Sequence, residues 1–300
     1  MIKITNVTKS FDDIKALNNV TLDVAEGSVF GLIGTNGAGK STLLRILSGV
    51  LKQDEGEVLI DGSSVFEAPD VKLNFFFIPD EAYFFKSSTP KTIAGYYSAV
   101  YPGFDMTRFK SLMTNFSLDT KRRISTFSKG MKKQLSVITA ICANTKYIYC
   151  DETFDGLDPV MRQAVKSLFA EEMEQRGLTP IIASHNLREL EDICENIGYL
   201  HKGGVLLSQN VNDLKLGICK IQLVPKEGTN PNEIFKAFKT YKHETRGNLH
   251  TLTLKGNIEE VEAAAKAASP VFSEILPLTL EEIFISEAES IGYSIKQLTL

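Results

Sequence analysis

A chain of 300 residues with a 43% apolar fraction is long enough for one large domain and a smaller one, or for two ordinary domains. Its net charge of −4 offers no overall attraction to nucleic acid, and no apolar run is long enough to span a membrane. The N-terminal stretch MIKITNVTKSF lacks the apolar core of a signal peptide, so we expect a soluble cytoplasmic chain. The four cysteines have no metal-ligand spacing, and reduced thiols are expected at Cys142, Cys150, Cys194 and Cys219.

The segment SVFGLIGTNGAGKSTLLRIL predicts an apolar strand, a glycine-rich turn and a helix. Gly34, Gly39, Lys40 and Ser41 fit the G-x-x-x-x-G-K-[ST] phosphate-binding loop. The backbone of the loop would surround the β-phosphate, Lys40 would bridge two phosphates, and the Ser41 hydroxyl would bind Mg²⁺. The predicted nucleotide-binding residues are Asn36, Gly37, Ala38, Gly39, Lys40, Ser41 and Thr42.

Aromatic residues are concentrated between positions 75 and 104. Such a concentration favours a partner-binding surface, and a small aromatic core within a helical segment is the alternative. The residues are Phe75, Phe76, Phe77, Tyr83, Phe84, Phe85, Tyr96, Tyr97, Tyr101 and Phe104.

The stretch STFSKGMKKQL precedes an apolar run with helical spacing. A helix N-terminus leaves backbone N–H groups free, and Ser128 can cap it or reach a phosphate. This pattern indicates a second, incomplete anion site in the same chain.

Two further strands end in polar residues. KYIYCDETFDGLDP predicts a strand that ends at Asp151 and Glu152, where Asp151 would hold Mg²⁺ through water and Glu152 would accept the proton of the attacking water. An acidic exit from a strand without a catalytic role is the alternative. PIIASH places His185 at a strand end, where a γ-phosphate contact is favoured over a structural role.

The order of these motifs over about 150 residues resembles the ATP-binding subunit of ABC transporters, over residues 1–215. The resemblance implies ATP and Mg²⁺ as cofactors, a signature loop at Ser128 and Gly130, a D-loop that includes Asp158, and His185 as the switch histidine. Phe11 stands where the family stacks an aromatic ring on adenine, although an ordinary half-buried strand position explains it equally well.

The resemblance also explains the incomplete site. Two subunits of this family pack head to tail, so the signature helix of one would close over ATP bound to the other, in a homo- or heterodimer. The aromatic segment, which leads into a helical subdomain at about 88–130, would receive a helix of a transmembrane permease. The chain would then act at the inner face of the cell membrane through the permease.

Four positions differ from the family pattern: Phe127 and Lys129 in the signature, Thr153 after the glutamate, and Asp80 where a metal-contacting glutamine is usual. Asp80 is predicted to hold metal-bound water, with a Pro-Asp turn without a role as the alternative. The SKGM signature resembles that of bacterial drug, antibiotic and peptide exporters.

Composition shifts near Gly217, and residues 217–300 predict a small α/β domain. Its expected elements are strands at ICKIQLV, LHTLTL and VFSEIL and helices at Asn232 to Tyr241 and Ile258 to Ala268. The fold predicted for the whole chain is a P-loop NTPase of the ABC type with a helical subdomain and this accessory domain.

The sequence predicts a Mg-dependent ATPase that powers a separately encoded exporter of antimicrobial or toxic peptides or drugs. Two alternatives remain: an ABC ATPase without a membrane partner, and a regulatory pseudo-ATPase. A nucleic-acid partner is not expected, because the chain is acidic and lacks the insertions or the second ATPase domain of the relevant families.

Overall fold

A computed structural model describes residues 1–290, with side chains placed through residue 286. The chain forms two compact units that divide between Ser208 and Gln209. The sequence analysis placed the boundary between 215 and 217, and the end of its second domain lies outside the described residues.

The first unit combines ten strands with seven helices and one 3-10 turn, and its last strand, β10, runs two residues past Ser208. The strands are β1 (Ile2–Phe11), β2 (Ile14–Val24), β3 (Phe30–Ile33), β4 (Glu55–Ile60), β5 (Ser63–Ser64), β6 (Phe75–Ile78), β7 (Tyr147–Asp151), β8 (Thr179–Ser184), β9 (Asn196–His201) and β10 (Gly204–Asn210). The helices are α1 (Lys40–Leu47), α2 (Pro69–Lys72), α3 (Pro90–Val100), α4 (Met106–Asn115), α5 (Lys129–Cys142), α6 (Pro159–Arg176) and α7 (Leu187–Leu190), with the 3-10 turn at Ile124–Thr126.

Two sheets organise this unit: a four-stranded sheet in the order β2-β1-β4-β5 and a six-stranded sheet in the order β10-β9-β3-β8-β7-β6. Strands β9, β3, β8, β7 and β6 pair in parallel. Their short, almost fully buried sequences are typical of strands covered on both faces. Parallel pairing brings the carboxyl ends of these strands to one edge of the sheet. The predicted site residues lie at or just after these strand ends.

The core of the first unit packs the antiparallel sheet and α1 against the parallel sheet. Leu43, Leu44 and Leu47 of α1 join Tyr147 and Tyr149 of β7 in one buried cluster. Burial of such side chains stabilises the fold by about 1.5–3 kcal/mol each. This packing fixes the start of α1 beside the end of β7.

The second unit contains α8 (Val211–Leu216), β11 (Ile218–Val224), α9 (Pro231–Ile234), β12 (Lys239–Arg246), β13 (Leu249–Lys255), α10 (Ile258–Ala267), β14 (Phe272–Leu276) and α11 (Leu280–Ser290). The strands form an antiparallel sheet in the order β12-β13-β11-β14. From β11 to β14 the chain runs β-α-β-β-α-β, which is a ferredoxin-like arrangement. Its core includes Ile221, Leu252, Leu254 and Val261.

The predicted helix from Asn232 to Tyr241 is wrong in its second half. Helix α9 ends at Ile234, and β12 begins at Lys239. Strand β12 pairs with β13 from Lys239 opposite Lys255 to Arg246 opposite Leu249. Tertiary pairing of this kind outweighs local helix propensity. The predicted strand at 218–224 and the helix that begins at Ile258 are confirmed.

All four cysteines are free and buried, as expected for reduced thiols. Burial raises the pKa of the thiols of Cys142 and Cys150 to about 12 and that of Cys219 to about 11, and it also raises the pKa of Cys194. Among the described residues, no helix is both long and apolar enough to cross a membrane.

Candidate functional site

Lys40 is the buried cation of the predicted phosphate loop. Its side chain is only 5% exposed, and its ammonium donates to the carbonyl oxygens of Gly34 at 2.7 Å and Thr35 at 3.2 Å. The loop therefore curls around its own lysine. Residues 35–37 are exposed, so the concave side of the loop is open to a ligand.

Gly39 allows the loop to enter α1. Its φ of 104° lies in the region that side chains disfavour, and a Cβ atom there would lie 2.5 Å from the carbonyl oxygen of Ala16. Since Gly39 carries no side-chain cap for α1, the first N–H groups of the helix stay available to an anion.

Ser41 and Asp151 meet where α1 begins and β7 ends. The Ser41 hydroxyl donates to the Asp151 carboxylate at 3.0 Å. Asp151 is buried, and desolvation raises the pKa of its carboxyl group above the usual value, although the hydrogen bond from Ser41 lowers it. Burial of this acid is costly without a cation beside it.

These two residues fit a magnesium ion. A hydroxyl and a carboxylate are hard oxygen donors, and Mg²⁺ takes few protein ligands and completes its octahedron with phosphates and water. Within residues 1–290, no group of three or more His, Cys, Asp or Glu side chains has the arrangement of a metal site. The oxygen pair therefore suits a nucleotide-associated Mg²⁺ better than a metal held by protein alone.

Glu152 lies between two basic side chains. One carboxylate oxygen is 3.4 Å from the Lys40 ammonium, and the other is 2.9 Å from Nδ1 of His185. Glu152 has a φ of 47°, an uncommon conformation for a residue with a side chain. The structure thus brings together Lys40, Ser41, Asp151, Glu152 and His185, which the sequence analysis placed on three separate motifs.

The second predicted anion site is organised differently. The Ser128 hydroxyl accepts a hydrogen bond from the Met131 N–H and so caps α5. Lys129 forms an ion pair of 2.7 Å with Asp155, and both side chains are about half exposed. A Cβ atom at Gly130 would lie 3.2 Å from the Gly156 carbonyl oxygen. The signature loop therefore packs against the loop that follows Glu152 in the same chain.

Two other predicted binding residues have local partners. The Asp158 carboxylate caps α6 by accepting from the N–H groups of Val160 and Met161. Phe11 ends β1, is 43% exposed, and lies under the Lys9 ammonium at 5.6 Å from the ring centre. Adenine stacking on this ring stays a prediction.

Asp80 has a partner that the sequence analysis did not identify. Its carboxylate accepts from the ammonium of Lys133 at 3.0 Å. The same ammonium donates to the backbone carbonyl of Glu152 at 2.6 Å. Lys133 connects the segment after β6 to the predicted base, and a metal role for Asp80 stays a prediction.

A signal for Lys133 was present in the sequence. Lys133 precedes Val137 by four positions and Ile141 by eight, so it stands on a buried face of α5. A lysine in an apolar stripe needs acceptors, because an unpaired buried charge is costly.

The aromatic segment is partly core and partly surface. Phe76 packs against the rings of Tyr97 and Tyr101, which supports the alternative of an aromatic core. Tyr83 is 81% exposed and Phe85 is 63% exposed, and their rings pack edge to face. Nearby, a groove of 290 Å³ is lined by Phe76, Phe77, Ile78, Pro79, Ala82, Tyr83, Phe84, Tyr97, Ser136 and Thr139.

Comparisons with known proteins place this geometry in context. The profile of the ABC transporter family matches residues 17–155. The ABC transporter ATP-binding protein YtrB of Bacillus subtilis is 30% identical over 96% of this chain and 98% of its own length. The lantibiotic transport ATP-binding protein SrtF of Streptococcus pyogenes is 30% identical over 71% of this chain and 95% of its own length.

Solved structures share the fold of the first unit. An ATP-binding subunit of an ABC transporter superposes with a TM-score of 0.67 at 24% identity, covering 72% of this chain and 92% of its own. A dimeric ATP-binding cassette with bound ADP and phosphate has a TM-score of 0.64 at 23% identity, covering 70% of this chain and 99% of its own. These likenesses confirm the P-loop NTPase fold.

Proposed function

Because the chain belongs to the ATP-binding proteins of ABC transporters and is therefore an ATP hydrolase, we propose that it powers a separately encoded transmembrane exporter. One observation carries the proposed site: the phosphate loop meets the strand-end carboxylates of Asp151 and Glu152. A phosphate-binding loop, two oxygen ligands for a metal and a candidate base then share one edge of the parallel sheet.

Lys40 neutralises the phosphates in this proposal. In the structure its ammonium contacts two loop carbonyls and the carboxylate of Glu152. Phosphate oxygens carry full negative charge and compete for this ammonium better than carbonyl oxygens do. Nucleotide binding therefore draws Lys40 away from Glu152 and frees one carboxylate oxygen.

Glu152 then accepts the proton of the attacking water. His185, whose Nδ1 lies 2.9 Å from the other oxygen of Glu152, orients the carboxylate in this proposal and would contact the γ-phosphate. Bound Mg²⁺, held by Ser41 and Asp151, would supply positive charge to the phosphate oxygens. The buried Asp151 carboxylate would thereby gain a cation in direct contact.

The head-to-tail dimer completes the site. Ser128 and Lys129 are exposed at the start of α5, and neither contributes to the phosphate loop of its own chain in the described contacts. They are available to ATP bound by a second subunit, identical or related. In that complex Gly130 keeps the helix start free of side-chain bulk, and Asp158 holds the neighbouring loop in shape by capping α6.

The transmembrane partner would dock on the aromatic groove beside Tyr83 and Phe85. Exposed aromatic side chains rimmed by polar groups are typical of partner surfaces. Docking there holds the chain on the inner face of the cell membrane. The SKGM signature and the likeness to a protein named for lantibiotic transport support a toxic peptide or drug as cargo.

Substitution Glu152→Gln tests the proposal. The amide keeps the shape of the side chain but cannot accept the proton, so hydrolysis of Mg-ATP should fall by about 10²–10⁴-fold while ATP binding persists. The variant should accumulate as an ATP-bound dimer, measured by size-exclusion chromatography with light scattering.

Turnover of Glu152→Gln at the parental rate would refute the assignment of the base. Absence of Mg-ATP hydrolysis in the parent chain itself would favour the pseudo-ATPase alternative. An ATPase without a membrane partner predicts that Tyr83→Ser leaves all interactions unchanged, whereas our proposal predicts loss of co-purification with the co-expressed permease and unchanged basal hydrolysis.

A further inference from the structure

Lys133 is a buried lysine close to the candidate base. It lies in the second turn of α5, and its side chain is 5% exposed. Lysine is seldom buried without partners, and here its ammonium has two: the carboxylate of Asp80 at 3.0 Å and the carbonyl oxygen of Glu152 at 2.6 Å. No metal or phosphate ligand is needed to explain these contacts.

Lys133 contacts the backbone of Glu152, a residue with an uncommon backbone conformation. Glu152 has a φ of 47°, which persists in folded proteins only where the surroundings hold it. Its N–H donates to the carbonyl of Ala183 at 3.0 Å, and its own carbonyl accepts from the Asp155 N–H at 3.2 Å and, more closely, from the Lys133 ammonium at 2.6 Å. Both polar groups of its backbone are therefore fixed, and the direction of the carboxylate follows from that backbone. A hydrogen bond from an ionised donor is about twice as strong as a neutral one.

The contact with Asp80 supplies the counter-charge. The Asp80 side chain is 47% exposed, whereas that of Lys133 is 5% exposed. Asp80 thus borders an open cleft of 330 Å³, lined by Asp80, Glu81, Ala82, Lys129, Lys132 and Lys133. Ala82 also lines the aromatic groove, so Asp80 stands between the surface proposed for the permease and the lysine that holds Glu152.

We propose that Lys133 is a positioning residue for Glu152, and that Asp80 holds the Lys133 ammonium in place. The inference rests on the proposed role of Glu152 as the base. Lys133 touches neither nucleotide nor water in this scheme. It fixes the backbone from which the catalytic carboxylate projects, and a misplacement of about 1 Å in such a group reduces rates by about 10²-fold.

Substitution Lys133→Met removes the ammonium and keeps a long apolar stem. We expect kcat for Mg-ATP to fall by about 10- to 100-fold, with KM and the affinity for ATP within about threefold of the parent. The ATP-bound dimer should accumulate as it does in Glu152→Gln. The matched control is Lys132→Met, the same change at the neighbouring position, with kcat expected within about twofold of the parent.

A structural role predicts a different result. If Lys133 only stabilised the fold, the variant would lose ATP affinity and thermal stability together with kcat, and the split between kcat and KM would be absent. A parental kcat in Lys133→Met refutes the proposal as well. If the Met variant does not fold, Lys133→Leu replaces it, because leucine also lacks a donor for the Glu152 carbonyl, and kcat should again fall while KM and ATP affinity stay close to the parent.

Asp80 is tested by a double-mutant cycle. Asp80→Asn should lower kcat several-fold in the parent and have no further effect in Lys133→Met, because Asp80 acts through the lysine. Additive losses would refute this half of the proposal and favour a direct metal role for Asp80.

The two failures are distinguishable. Parental turnover in Glu152→Gln would refute the proposed function. An inactive Glu152→Gln together with a fully active Lys133→Met would refute only the positioning role. In the Glu152→Gln background, Lys133→Met should not change the residual hydrolysis rate, since the carboxylate that it orients is already absent.

Discussion

The N-termini of α1 and α5 look alike in sequence but differ in their capping residue and in the burial of the lysine that follows it. At α1 the cap is Gly39, which offers no side chain, and Lys40 is buried with the strand-end acids close by. At α5 the cap is Ser128, whose hydroxyl satisfies a backbone N–H, and Lys129 is exposed and paired with Asp155. The first terminus is arranged for a ligand within its own chain, whereas the second presents exposed groups at the surface.

This difference suggests that α1 binds the nucleotide and that α5 contributes only when two subunits associate. A buried lysine at an uncapped helix gives affinity for phosphate, because its charge is poorly screened by water. An exposed lysine at a capped helix gives little affinity alone and becomes useful only when a second surface excludes water. We therefore expect α1 to bind nucleotide in the isolated chain and α5 to act only in the dimer.

The largest effect should come from Lys40→Ala. The phosphates would lose the buried cation of the loop, and the affinity of the isolated chain for ATP should fall by about 100-fold. Isothermal titration calorimetry measures this directly. Lys129→Ala should leave the ATP affinity of the isolated chain within about twofold of the parent. Equal losses of affinity in both variants would contradict the proposed difference between α1 and α5.

A mixed dimer tests whether α5 acts in trans. Lys40→Ala damages one half-site and Gly130→Asp places a carboxylate at the other, so each homodimer should be inactive. In the head-to-tail mixed dimer both lesions fall in one site and leave the other intact. Nucleotide trapping should therefore reappear on mixing, and no recovery in a verified mixed dimer would refute the trans arrangement.

Asp151→Asn should stabilise the nucleotide-free chain while abolishing Mg-dependent turnover. Desolvation raises the pKa of the Asp151 carboxyl group in the folded chain above its usual 3.8. The stability that the protonated carboxyl allows is therefore fully present below pH 3.8 and is lost as the pH rises through the raised pKa, because the buried group then ionises. The variant should therefore melt about 2–4 °C above the parent at pH 7, with the difference shrinking toward pH 4. Differential scanning fluorimetry without nucleotide, at several pH values, measures it, and a lower melting temperature at pH 7 would contradict the argument.

The smallest effect belongs to Asp155→Asn. The hydrogen bond from Lys129 lowers the pKa of Asp155, so this pair stabilises the chain above the usual pKa and ceases to do so as pH falls. Since both side chains are about half exposed, the loss should be below about 2 °C in melting temperature and should vanish in 1 M salt. A large, salt-insensitive change would mean that the signature loop depends on this pair for its shape.

Much of the site was predictable because its motifs are local. The phosphate loop lies within one strand-turn-helix, and the strand-end position of Asp151 follows from an apolar run and the parallel sheet. The meeting of Ser41 with Asp151 then follows from the geometry of that fold. The aromatic segment was predictable in its concentration but not in its division between core and surface.

The remaining features depend on long-range contacts. Lys133 meets Asp80 and Glu152 only because α5 crosses the ends of β6 and β7, and neither partner is near it in sequence. The predicted helix from Asn232 to Tyr241 extended into the start of β12, and the pairing of this segment with β13 makes it a strand. The local pattern indicates that Lys133 needs acceptors, but it does not identify them, and it does not reveal the partner strand of β12.

The buried thiols give each unit a reporter of its own. Cys219 lies in the second unit and the other three cysteines in the first, and burial keeps the thiols protonated and closed to reagents in the folded chain. Thiol modification therefore requires local opening, and its rate measures the free energy of that opening. If added ATP slows modification of the three cysteines of the first unit but not of Cys219, the stabilising effect of the nucleotide is confined to the first unit. The fold thus carries an internal set of probes that needs no added label.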